Sequence, residues 1–157
     1  MLAHARALLD SSPEGATDYI DADFRNYDAI LEQAARTLDF SRPVAVMLIA
    51  LLHLIGDPDD PYGIVSALMA AVPSGSYLAL SQVASDIQAE QMAEARQRYN
   101  SMARETQRHR SHTEVARFFS GLELLPPGLV PVQQWRSRSD LEAQAKSAMW
   151  GGVARKP

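Results

Sequence analysis

Nine consecutive apolar residues, Val44-Ala45-Val46-Met47-Leu48-Ile49-Ala50-Leu51-Leu52, interrupt a chain whose apolar and polar positions otherwise alternate over short periods. Pro43 precedes the run and Gly56-Asp57-Pro58 follows it. An apolar run between turn signals predicts a strand buried on both faces, as in a parallel sheet, with a buried helix segment as the competing reading. Ile64, Val65, Leu68, Met69 and Val72 then recur at helical spacing, behind Asp60 as N-cap and Pro61 at the first helical position. Pro73-Ser74-Gly75 turns the chain into a second strand, Tyr77-Leu78-Ala79-Leu80-Ser81. Strand, helix and strand at this spacing make a right-handed βαβ unit, so the two strands are expected to lie side by side and parallel.

Shorter patterns flank this unit. Residues 2–9 read as a helix with Leu2, Ala5, Leu8 and Leu9 on one face, residues 17–22 as a short strand, and residues 28–38 as a helix. Residues 89–102 predict an amphipathic helix with Met92, Ala95, Tyr99 and Met102 facing inward. Ser111 and Glu114 form a Ser-x-x-Glu capping box ahead of residues 115–119. Residues 122–125, 130–135 and 149–155 are strand candidates, with a helix over residues 140–148. No repeat, low-complexity tract or domain boundary interrupts the chain, which is expected to form one α/β domain over residues 1–157.

Composition narrows the function. The net charge of −4, from 15 basic and 19 acidic residues, argues against a nucleic-acid partner. The absence of cysteine removes disulfides, thiolate zinc sites and cysteine nucleophiles. The first residues are too polar for a signal peptide, and the apolar run is too short to cross a bilayer as a helix. A cytoplasmic protein without a membrane partner is expected. No metal site is predicted: Asp57, Asp59 and Asp60 lack calcium-loop spacing, and His109 and His112 sit in a loop without a carboxylate to complete a ligand set. Trp135 and Trp150 read as core or sheet-edge aromatics, or as the wall of an acceptor pocket.

Seven segments, in order, carry a resemblance. They are Leu2-Ala3-His4-Ala5-Arg6-Ala7-Leu8-Leu9, Tyr19-Ile20-Asp21-Ala22-Asp23-Phe24-Arg25, Ala50-Leu51-Leu52-His53-Leu54-Ile55 and Gly75-Ser76-Tyr77-Leu78-Ala79-Leu80-Ser81. Glu114-Val115-Ala116-Arg117-Phe118-Phe119, Gly128-Leu129-Val130-Pro131-Val132 and Trp150-Gly151-Gly152-Val153-Ala154-Arg155-Lys156 complete the set. Together they resemble the C-terminal part of a bacterial, Rossmann-like family of S-adenosylmethionine-dependent methyltransferases, once catalogued as a domain of unknown function.

The resemblance implies a sheet ordered 3-2-1-4-5-7-6 with strand 7 antiparallel. Residues 17–22 then stand as strand 3, residues 44–52 as strand 4, residues 77–81 as strand 5, the segment from Leu122 as strand 6, and residues 149–155 as strand 7. Strands 1 and 2, the glycine-rich turn and the strand-2 acid that hold the cofactor have no counterpart here, and Gly15 stands without a Gly-x-Gly pattern. The implied function is a methyl transferase lacking its glycine-rich half and inactive alone; the alternative is a non-catalytic remnant acting as an interaction module. The implied cofactor is S-adenosylmethionine, and the acceptor an unidentified small molecule. Asp23, just past a strand, suits a hydrogen bond from an exocyclic amine; the family's matching position contacts adenine, with the backbone of the next residue, Phe24, at the ring edge. A turn or N-cap aspartate is the other reading. Ile49 and Ala50 would line the cofactor pocket or simply fill the strand core. His53 is a candidate general base, or a hydrogen-bonded turn residue. With strands 1 and 2 absent, either Tyr19-Ile20 moves beside residues 44–52 or that strand keeps an open edge and invites self-association.

Overall fold

The computed structural model describes residues 15–104, 106–145 and 147–157. Its frame is a five-stranded mixed sheet. Strand β1 (Ala45–Ile49) pairs in parallel with β2 (Tyr77–Val83), and β2 pairs antiparallel with β5 (Met149–Arg155). The two-residue strands β3 (Glu123–Leu124) and β4 (Val130–Pro131) both pair antiparallel with β5, giving the order β1-β2-β5-β3. Helix α1 (Tyr27–Ala34) precedes the sheet, and α2 (Pro61–Ala70) makes the crossover between β1 and β2. The expected βαβ unit is therefore present, and β5 falls on the expected residues 149–155.

Alternation decides which face is covered. Val46, Leu48, Leu78, Leu80 and Ala154 point toward α2, where Ile64, Val65, Leu68 and Met69 meet them. Burying the core face of α2 at about 25 cal/mol per Å² is what holds the crossover down. Asp60 caps α2 through a 3.0 Å bond from the Gly63 amide, and the Lys156 ammonium bonds the carbonyls of Met69 and Val72 at its other end.

The opposite face corrects one expectation. The apolar run is not buried on both faces: Met47 is 66% exposed and Ile49 55%, and β1 is an edge strand of the described sheet. The run is also shorter than expected as a strand. Ala50 takes a left-handed φ of 51°, and Leu52–Leu54 forms a 3-10 turn that sends Leu52 and Ile55 into the core.

Other expectations shift as well. Residues 17–22 are not a strand; this segment runs beside the C-terminal end of α1, with Ile20 near Gln33 and Thr37, rather than along β1. An extended segment becomes a strand only with a ladder partner, and β1 does not supply one here. Helix α3 (Ala89–Met102) has the expected bounds but not the expected inner face, since Tyr99 and Met102 are exposed. It is held instead by polar contacts: Asn100 accepts the Gln107 amide at 2.7 Å and donates to its carbonyl at 3.3 Å. The Ser111–Glu114 capping box forms in full and starts α4 (His112–Ala116), followed by a 3-10 turn at Arg117–Phe119. Only Val130–Pro131 of residues 130–135 is strand, the rest turning as Val132–Gln134; α5 (Asp140–Ala143) is shorter than predicted. The proposed helix over residues 2–9 lies outside the described residues.

Candidate functional site at the carboxyl ends of the parallel strands

In open α/β sheets, ligands bind beyond the carboxyl ends of the parallel strands. Here that rim is shaped by the kink at Ala50, whose amide donates to the Ser81 hydroxyl at 2.9 Å, tying the tip of β1 to β2. Ser81 is buried, while Ile49 and Ala50 are exposed beside it.

Asp23 sits in the segment leading to α1. Its carboxylate accepts the Arg25 amide at 2.8 Å and pairs with the Arg25 guanidinium at 3.2 Å. The backbone bond from Arg25 chiefly, aided by its guanidinium, holds the Asp23 carboxyl below the usual range. The turn-aspartate reading thus describes its bonding, yet the side chain remains 58% exposed. Arg25 also reaches Asp59 at 3.1 Å, in the loop after β1, so Asp23 is linked to that loop. Phe24 is half-buried against the core.

His53 lies in the 3-10 turn after β1, half-buried, with Nδ1 enclosed and unpaired. Burial, with the charge of Arg110 second, lowers its pKa, so the imidazole is neutral at neutral pH. Its carbonyl accepts the Arg108 amide at 2.7 Å.

The support of this loop was missed in the sequence. Arg110 is fully buried and donates to the carbonyls of Leu52 at 2.8 Å and Ile55 at 2.9 Å, and to Asp57 Oδ1 at 2.9 Å. Arg108 binds Asp57 Oδ2 at 2.9 Å and Glu114 at 2.6 Å, while Glu114 also accepts the Ser111 amide at 2.7 Å. Asp57 is therefore a clamp between two arginines and not just part of a helix-starting turn. His109 is buried, with Nε2 3.2 Å from Gln107 Oε1, rather than solvated as expected. His112 packs edge-on against Trp150, their ring centroids 4.8 Å apart, and both bond Asp86: the His112 amide at 2.7 Å and the Trp150 indole at 2.7 Å. The only signal available in advance was Arg-x-Arg running into the capping box. Among the described residues no three His, Asp or Glu side chains are placed to hold a metal ion, and no helix is long and apolar enough to cross a membrane.

The fold is α/β with a mixed, open five-stranded sheet, consistent with a methyltransferase fold. The sequence profile of the S-adenosyl methyltransferase family matches residues 1–157, and the chain belongs to that family. It is similar to a DUF574 family protein from Streptomyces avermitilis, with 39% identity and a TM-score of 0.91. That match covers 99% of this chain and 61% of the other. A methyltransferase candidate from Thermobifida fusca is 31% identical, with a TM-score of 0.83, over 99% of this chain and 59% of the other. The chain thus spans about three-fifths of the length of these two structures. A search of curated proteins returned no match.

Proposed function

We propose that this chain is a cytoplasmic S-adenosylmethionine-dependent methyltransferase domain in which the described residues form the C-terminal part of the cofactor site. The observation that carries this reading is the sheet order β1-β2-β5-β3, with β5 antiparallel to β2. It agrees with the order 4-5-7-6 implied by the resemblance, with β1 as strand 4.

When bound, S-adenosylmethionine supplies a methyl group on a positively charged sulfur. The residues fit its adenine end: Asp23 offers an exposed, ionised carboxylate to an exocyclic amine, beside the half-buried Phe24. Ile49 and Ala50 lie exposed at the β1 tip, where they would contact and orient an already reactive group. His53, kept neutral by burial, is able to take a proton from an acceptor, although methyl transfer to a good nucleophile needs no base.

The chain contains no Gly-x-Gly turn, so we expect it alone to bind the cofactor no better than millimolar. Calorimetry tests this. Adding the portion of the Streptomyces avermitilis relative that this chain does not cover should bring binding to the micromolar range, and Asp23→Asn should weaken it about tenfold. Micromolar binding by the chain alone would remove the incompleteness; no binding by the pair would remove the methyltransferase reading.

A second reading, a non-catalytic module that associates through its sheet, draws on the exposure of Met47 and Ile49 along the β1 edge. Loss of self-association in Met47→Lys, with cofactor binding absent throughout, would favour it.

A further inference from the structure

Helix α2 and the 3-10 turn after α4 enclose a cleft of about 300 Å³, at the small end of the range for small-molecule sites. Its floor is apolar and buried, made by Val65 and Met69 of α2 and Phe118 of the turn. Three polar side chains line it as well, Ser66, Arg117 and Ser120, and all three residues are exposed.

Stacking, rather than a carboxylate, holds the Arg117 guanidinium. Its Cζ lies 4.1 Å from the centroid of the Tyr62 ring. That ring is fixed in turn: it stacks on Phe118 with centroids 4.3 Å apart, and its hydroxyl donates to the Glu114 carbonyl at 3.2 Å. Arg25, Arg108, Arg110 and Arg155 each pair with a carboxylate, whereas Arg117 pairs with none among the described residues. Glu114, the acid nearest in sequence, is taken by Ser111 and Arg108. Nor do the Ser66 and Ser120 hydroxyls bond any described residue. A guanidinium lying flat on a ring keeps its N–H edge free, and that edge matches the two oxygens of a carboxylate. Because stacking fixes it beforehand, little freedom is lost when an anion binds.

We infer that this cleft binds a small monocarboxylate with a compact apolar body, its carboxylate on Arg117 and its body over Val65, Met69 and Phe118. A neutral molecule of the same shape would leave the cation unmatched, and an inorganic anion would leave the apolar floor uncovered. The cleft shares no residue with Asp23, Phe24, Ile49, Ala50 or His53, so the assignment goes beyond the methyltransferase reading and does not rest on it.

The probes are benzoate, its neutral isostere benzamide, and inorganic phosphate. Each is titrated at constant ionic strength into the full chain, labelled with 15N and with 13C at the methionine methyls. Arg117→Gln assigns the Arg117 Nε–H signal, and Met69→Leu the Met69 methyl. Benzoate should shift both saturably, in the millimolar range, and bind roughly fivefold or more tightly than benzamide. Arg117→Gln should remove that preference and leave benzamide binding unchanged. Since Arg117 is exposed, the melting temperature of this variant should move by no more than a few degrees. Equal affinity for benzamide, unchanged benzoate binding in Arg117→Gln, or equal shifts at the exposed Arg36 would overturn the site. Phosphate binding more tightly than benzoate would overturn the ligand class, and no saturable shift up to the solubility limit would remove the cleft as a site.

Discussion

Arg110 and Asp57 are bonded at 2.9 Å across 53 positions of sequence, and the arginine is fully buried while the aspartate side chain is 52% exposed. The same guanidinium donates to the carbonyls of Leu52 and Ile55, the first of which also accepts the Ile55 amide at 3.2 Å within the 3-10 turn after β1. The pair is therefore a brace for the loop over the candidate site. Arg110→Ala removes both carbonyl bonds and one of the two arginines on Asp57, which keeps Arg108, and should cost about 2 kcal/mol. Asp57→Asn keeps one acceptor and should cost less. Urea unfolding of both variants checks this; equal, small losses would show that the brace is dispensable.

Acid should weaken the same region in two stages. The His53 and His109 pKa values are lowered, chiefly by burial in both, with Arg110 adding for His53 and Arg96 for His109. The unfolded chain then takes up protons near pH ~6.5 before the folded one does, so stability is full above that pH and falls below it. Asp57 is held low mainly by its bond to Arg108. In Glu114, burial pushes upward but is outweighed by the Ser111 bonds and the charge of Arg108. Their contribution is present above the ordinary carboxylate range of about 4 and is lost as pH falls through the lowered folded values. Thermal melts from pH 8 to 3 should show both stages, and His53→Gln with His109→Gln should flatten the first.

Backbone patterns were legible where the determinants are local. The capping box at Ser111, the Pro61 start of α2 and the seven-residue β5 all follow from neighbours within a turn or a strand. What lay outside the sequence pattern was coverage. A run of nine apolar residues reads as doubly buried whether or not anything packs on its second face, and Met47 and Ile49 are exposed. The site divides in the same way. Asp23 was singled out as following a strand that does not form, and its bonds to Arg25 are local, whereas the arginine brace joins residues far apart in sequence. Arg108, His109 and Arg110 looked like a solvated loop because charge is a surface signal until a partner such as Asp57 is brought to it.

Self-association is expected through β1. Its five residues carry no charge, proline or bulge, its outer edge has no partner strand among the described residues, and its Met47 and Ile49 are exposed. Such an edge pairs readily with another strand. Sedimentation velocity should show concentration-dependent association, and Met47→Lys should reduce it without lowering the melting temperature by more than a few degrees. A monomer at high concentration would sink this expectation.

Gly151→Ala tests how closely the Val132–Gln134 turn is seated on the sheet. The new methyl would meet Val132 Cγ1 at 2.7 Å, too close for any carbon contact, and the Val132 backbone at 3.7 Å limits retreat. Overpacking of this kind costs about 1–3 kcal/mol. Gly151 has an ordinary backbone conformation, so the penalty comes from contact and not from φ. Val132→Ala removes the clashing atom, and the double variant Gly151→Ala, Val132→Ala should recover most of the stability lost by Gly151→Ala. A coupling of at least about 1 kcal/mol in that double-mutant cycle is expected from denaturant unfolding. Additive losses would mean that the turn does not rest on β5 through this contact.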